Sequence, residues 1–147
     1  MKKLDQLRKQ LLKLPYLKLK PEEVHVFAEQ GTVLSYYARP EDPNTNDHFQ
    51  LEYTAQIIIL NYSGAPEVLI HCVNQWLRQH QPSHKIDAIQ FEAEILNNDS
   101  VDIRISIQGI KDTYKPQQRN KGTLIVECVN KPADPIISAK LKEINYE

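Results

Sequence analysis

The chain has 147 residues, with 18 basic and 19 acidic side chains and a net charge of −1. That length predicts one domain with a single core, residues 1–147, and the charge balance argues against a dedicated nucleic-acid or membrane-surface protein. Only four glycines are present, so no glycine-rich phosphate cradle or nucleophile elbow can be written, and the longest apolar run, Ile57-Ile58-Ile59-Leu60, is far short of a membrane helix.

The chain opens Met1-Lys2-Lys3, but Asp5, Arg8, Lys9 and Lys13 interrupt the segment after it, so no signal-peptide core is expected. Cys72 and Cys128 lie far apart with no CxxC, which predicts reduced, buried thiols in a cytoplasmic protein. Residues 2–14 read as a helix, with Leu4, Leu7, Leu11 and Leu14 at helical spacing and Pro15 as the stop. The first twenty residues hold six lysines and one arginine against Asp5. Such a run reads first as a solvated face opposite the leucine stripe, and second as an arm for an acidic partner surface.

Residues 24–37 predict a hairpin around Gln30-Gly31, with Val24, Val26 and Ala28 leading in. Residues 39–48 contain Pro40, Pro43, Asn44, Asn46 and Asp47 and read as a loop long enough to reach a neighbour. In residues 49–60, Phe49, Leu51, Tyr53, Ala55, Ile57 and Ile59 alternate with Gln50, Glu52, Thr54 and Gln56, the period of a strand. Ile58 and Leu60 make its far end apolar on both faces, which predicts a covered, mid-sheet position.

Asn61-Tyr62-Ser63-Gly64 turns into a second helix, with Pro66 in its first turn and Glu67 at the positive end of its dipole. Leu69, Cys72, Val73, Trp76, Leu77 and His80 form one apolar stripe, and Pro82 ends the helix.

Residues 89–108 are the best-defined stretch. Ile89, Phe91, Ala93 and Ile95 alternate with polar residues, and so do Val101, Ile103, Ile105 and Ile107, on either side of Asn97-Asn98-Asp99-Ser100. This is a hairpin with one buried face. Both apolar sets are odd-numbered, so the loop must have three or five residues, or a bulge must absorb one. Five residues set Glu92 opposite Arg104; three set Glu94 there. The second helix is expected on the odd face, with Trp76 as its largest burial. Residues 111–121 read as a polar loop, residues 122–129 as a last strand, and residues 136–147, after Pro132 and Pro135, as an apolar-charged tail compatible with a helix. The order helix, three strands, helix, three strands predicts an α+β fold with a mostly antiparallel sheet and helices packed on one face.

Chemistry is sparse. His80 and His84 have a metal-ligand spacing, but Pro82 breaks the helix between them, and no metal or other cofactor is expected. His71 and Cys72 fall on different helix faces, and Cys72 reads as a small core residue. Glu92 and Glu94 share one sheet face, where paired carboxylates can do acid–base work and where a solvated strand looks the same. His25 reads as structural. Lys111, Lys115, Arg119 and Lys121 surround Tyr114 and could track a phosphate backbone, although a soluble loop has the same composition. No catalytic residue is predicted.

Several segments resemble a known family. They are Met1-Lys2-Lys3-Leu4-Asp5-Gln6-Leu7-Arg8, His25-Val26-Phe27 with Gly31, Phe49-Gln50-Leu51-Glu52-Tyr53 running to Asn61-Tyr62-Ser63-Gly64, Trp76-Leu77-Arg78-Gln79-His80-Gln81-Pro82, and residues 91–102. Together they cover roughly residues 1–108 and resemble the tail completion protein R family of contractile-tailed temperate phages and prophages. The resemblance implies a structural protein that finishes the tail and makes it competent to join a DNA-filled head. By analogy with tail terminators it implies a tail-terminator-like fold and a homo-oligomeric ring, a hexamer by that analogy, on the head-proximal end of the tail tube. Its partners would be the tube protein and a second tail completion or head-connector protein, with DNA passing through the ring unread. It would act in the host cytoplasm and remain in the virion tail. Asn97, Asn98, Asp99 and Ser100 at the hairpin tip, and Glu41, Asp42 and Asp47 in the loop of residues 39–48, are the candidate contacts to subunits or tube. A reading of a different class is a small cytoplasmic ligand-binding or enzymatic domain using the sheet's wet face near Glu92, Glu94 and Arg104.

Overall fold

A computed structural model describes residues 1–35, 48–95, 97, 99–119 and 123–129. Helix α1 spans Lys2–Lys13 and leads into 3-10 turns at Pro15–Leu17 and Pro21–Glu23. Strands β1 (Val24–Ser35) and β2 (Phe49–Tyr62) precede helix α2 (Pro66–His80). Strands β3 (Ile89–Ile95), β4 (Val101–Arg119) and β5 (Thr123–Cys128) come after it. The sheet is open and antiparallel, in the order β1-β2-β4-β3, with β5 pairing the far half of β4. The α+β class, the antiparallel sheet and both helices agree with the sequence reading.

The core lies on one face. Leu4, Leu7 and Leu11 of α1 and Leu69, Val73, Trp76 and Leu77 of α2 are buried in one cluster with Val24, Ala55, Ile57, Ile59, Ile103, Ile105 and Ile107. Trp76 is among its largest fully buried side chains, as its place in the stripe predicts. Arg8 ties α1 to the start of β1, donating from Nε to the Val24 carbonyl at 3.0 Å and from Nη2 to the Pro21 carbonyl at 2.6 Å. On the opposite face a polar row crosses three strands: Gln56 Nε2 donates to Glu29 Oε2 at 2.6 Å, and Ser106 Oγ donates to Gln56 Oε1 at 2.9 Å.

The hairpin expected around Gln30-Gly31 is absent: residues 24–35 are one strand. β1 runs straight through Gln30-Gly31, with a bulge between Ala28 and Gly31 against β2. Gly31 packs close to β2, where an added Cβ would meet the Glu52 carbonyl at 3.1 Å and Tyr53 Cβ at 3.2 Å. Close approach, not a turn, is what its missing side chain allows.

The polar stretch from Lys111 to Arg119 is not a loop but the second half of β4. At the same level of β2, between Tyr53 and Ala55, β4 carries its own extra residue between Ile107 and Ile110. Gly109 sits there with φ +73°, a conformation other residues rarely adopt. The bulge reverses the parity of β4: Ile103, Ile105 and Ile107 face the core before it, and Ile110 and Asp112 do so after it. Period-two reading fails across such a point, so an inward aspartate looks like part of a polar loop.

Three further expectations change. The odd face of β4 is buried, but that of β3 is not: Phe91 is 58 % exposed and Ile95 77 %. β3 is the edge strand, and its outer part extends beyond the cover of the helices. Ile58 and Leu60 do sit mid-sheet, yet they are only half-buried, because both helices cover the other face. Cys72 is buried but Cys128 is half-buried, and neither is in a disulfide. The tail of residues 136–147 lies outside the described residues.

Candidate subunit interface

The tip of the β3–β4 hairpin is built by its own side chains. Ile95 pairs with Val101 and Glu92 with Arg104, so the loop has five residues. Asn97 Oδ1 accepts from the Asp99 and Ser100 amides at 2.8 and 2.9 Å and from Ser100 Oγ at 3.3 Å. Such a local turn fixes the exposed tip without help from the core. Asn97, Asp99 and Ser100 therefore form a presented point, whereas Asn98, Glu41, Asp42 and Asp47 lie outside the described residues. Ser35 pairs with Phe49, and Val101 pairs with Tyr62 at the other end of β2.

Sequence reading missed the sheet's edges. On β3, Phe91 and Ile95 stand exposed on the helix-bearing face; on β1, Phe27 (42 %), Val33 (59 %) and Leu34 (42 %) are exposed. Alternation finds a strand's apolar face but not its place in the sheet, so an edge and a centre read alike. Exposed apolar side chains on strands with no second strand partner among the described residues make a surface suited to another chain.

The region between β3 and β5 is closed by a side chain. Gln81, buried just past α2, donates from Nε2 to the Lys111 carbonyl at 2.8 Å, and its Oε1 accepts the Lys111 amide at 3.2 Å. Its amide takes the part of a paired strand there. Nearby, Asp112 is fully buried, with Lys3 Nζ 2.8 Å from Oδ1 and the Tyr53 hydroxyl donating to Oδ2 at 2.6 Å. Burial, then the bond to Asp112, pushes the Tyr53 hydroxyl well above the ordinary tyrosine range. Burial, then the Asp112 charge, pushes Tyr114 up to about 12. This cluster locks α1 to β2 and β4.

His80, His84 and Cys72 have structural partners. His80 stacks on Trp76, ring centroids 4.7 Å apart, with Nδ1 3.0 Å from the Trp76 carbonyl. His84 Nδ1 is 2.6 Å from the Gln81 carbonyl. No group of three metal-binding side chains occurs among the described residues. Cys72 Sγ lies 3.6 Å from the Tyr16 hydroxyl and not against His71. Ile58, Leu60, Glu92, Glu94, Asp102 and Arg104 line a shallow depression of about 440 Å³ on the open face. Asp102 is already engaged there, accepting the Asn61 amide at 3.0 Å. Lys111, Lys115 and Arg119 lie along β4 and not in a loop.

Comparison with known proteins agrees with the resemblance drawn from sequence. The family model of P2 phage tail completion protein R (GpR) matches residues 1–133. The chain belongs to that family. It is also 29 % identical over 142 residues to tail completion protein R of Escherichia phage P2, covering 92 % of this chain and 86 % of that one. The family match extends past residue 108, through β4 and β5. No solved structure matches the chain. Membership makes this a structural phage-tail protein, working with other tail or virion components. No helix among the described residues is long and apolar enough to cross a membrane.

Proposed function

We propose that this chain forms a homo-oligomeric ring on the head-proximal end of the tail tube, stops further tube growth and offers a surface to the head connector. Assembly takes place in the host cytoplasm, and DNA passes through the finished ring. Tail completion is the family's role. The observation that carries the ring is the pair of apolar sheet edges, with Phe91 and Ile95 on one and Phe27, Val33 and Leu34 on the other. Two different sticky edges on one rigid sheet suit a head-to-tail interface that closes on itself. A net charge of −1 also suits a channel through which DNA slides, since a basic lumen would hold it. The tip residues Asn97, Asn98, Asp99 and Ser100, and Glu41, Asp42 and Asp47, are assigned to contacts with the tube or connector.

The test adds purified protein to tails made without it. Electron micrographs should show new density at the head-proximal end, and the treated tails should join heads. Density along the shaft or at the baseplate, or tails that still fail to join heads, would refute the proposal. The ligand-binding or enzymatic alternative, centred on the depression beside Glu92, Glu94 and Arg104, has only that shallow surface in its favour.

A further inference from the structure

We infer that the β3 edge of one copy pairs with the β1 edge of the next, so that the sheet continues from subunit to subunit. The inference rests on the oligomeric reading above and names the surfaces it uses.

Strand direction carries the first step. β1, β2, β4 and β3 alternate in direction, each antiparallel to its neighbour. With four strands in the row, β3 runs opposite to β1. A copy turned about an axis parallel to the strands, and not flipped, therefore brings its β1 antiparallel to β3 of its neighbour. Its helices stay on the same side of the sheet. Repeating that rotation closes a ring in which the β1 and β3 edges no longer stand unpaired. The helix-face row Phe91, Ala93, Ile95 would continue beside Val26 and Ala28 of the adjoining copy, covering side chains that the monomer leaves out.

Edge design agrees. β3 has no proline, no lysine and no bulge, the usual devices that keep an edge single. Charge then selects the partner. Residues 86–102 hold Asp87, Glu92, Glu94, Asp99 and Asp102 and no lysine or arginine. Helix α1, which packs beside β1, belongs to a twenty-residue segment with six lysines and Arg8 against Asp5, offset in part by Glu22 and Glu23 just after it. The unlike charge at a β3–β1 seam comes from α1, since β1 itself holds Glu29 and no lysine or arginine, and a register that sets Val26 opposite Ala93 keeps Glu29 off Glu92. A two-fold seam between β3 and β3 sets Glu92 and Glu94 against their own copies, which costs stability.

The experiment uses Ala28→Cys and Ala93→Cys, both exposed and both on the helix-bearing face, in the full chain with a short bismaleimide cross-linker. The unmodified protein controls for Cys72 and Cys128. Expected are a ladder of oligomers from the double variant and a single dimer band when the two single variants are mixed, either free at high concentration or on tails. Ile95→Asp should keep the melting temperature and weaken association at least tenfold. Dimers from Ala93→Cys alone, or an oligomer by native mass spectrometry that yields no ladder and tolerates Ile95→Asp, would overturn the β3–β1 seam and leave the ring standing. A protein monomeric both in solution and on tails would overturn the ring as well.

Discussion

Removing Lys3 tests the packing of this fold most directly. Asp112 is fully buried, its two oxygens held by Lys3 Nζ at 2.8 Å and by the Tyr53 hydroxyl at 2.6 Å. Lys3→Met keeps most of the aliphatic stem but removes the ammonium. It leaves an ionised carboxylate in the interior with a single remaining side-chain partner. Breaking a buried pair from one side costs about 3–5 kcal/mol. Asp112→Asn should cost less, about 1–3 kcal/mol, because the amide oxygen still accepts from Tyr53 and the Lys3 side chain, 9 % exposed, can turn to water. Lys3→Met/Asp112→Leu removes both charges and should be more stable than Lys3→Met alone. Urea denaturation monitored by circular dichroism at neutral pH gives all three values. An exposed ion pair would contribute at most about 1 kcal/mol and would fade in salt. A Lys3→Met loss below about 0.5 kcal/mol, or single effects that simply add in the double variant, would refute the reasoning.

Gln81→Ala should cost about 1–3 kcal/mol by leaving the Lys111 amide and carbonyl without their side-chain partner, and hydrogen exchange at the Lys111 amide should quicken; unchanged exchange would mean that Gln81 does not stand in for a strand. Gly109→Ala should lower stability by about 1 kcal/mol or more, because φ is +73° at the bulge; a thermal melt equal to the parent's would count against the left-handed conformation. Burial lowers the His80 pKa below 6.5, opposed by its bond to the Trp76 carbonyl and the Asp112 charge and assisted by Lys3. The unfolded chain then takes up a proton first as pH falls, so stability is full above 6.5 and declines below it, through the folded pKa. His80→Gln should flatten that decline between about pH 7 and 5, and parallel urea-midpoint curves for the two proteins would show that His80 is not its source.

The sequence alone determined the elements with strong periods. The leucine stripe of α1, the Trp76 stripe of α2 and the paired alternation of residues 89–108 needed only local spacing and stop residues to be read. Odd parity on both arms of that hairpin limited the loop to a few lengths, one of which is the five residues observed. Family membership was legible too, in runs such as residues 91–102 that generic strands do not share.

Tertiary structure decided what local spacing cannot carry. Strand order put β3 at an edge, so Phe91 and Ile95 have the pattern of core residues and the exposure of a surface. The bulge at Gly109 reversed the parity of β4, and a stretch that reads as a polar loop became a strand with Asp112 facing in. Gly31 read as a turn because glycine has two uses, and only the nearness of Tyr53 tells close approach from reversal. In each case the deciding contact joins residues far apart in the chain: Lys3 with Asp112, Gln81 with Lys111, Gly31 with Tyr53. Spacing along a sequence records which faces a chain has; which neighbour each face meets is settled when the chain closes on itself.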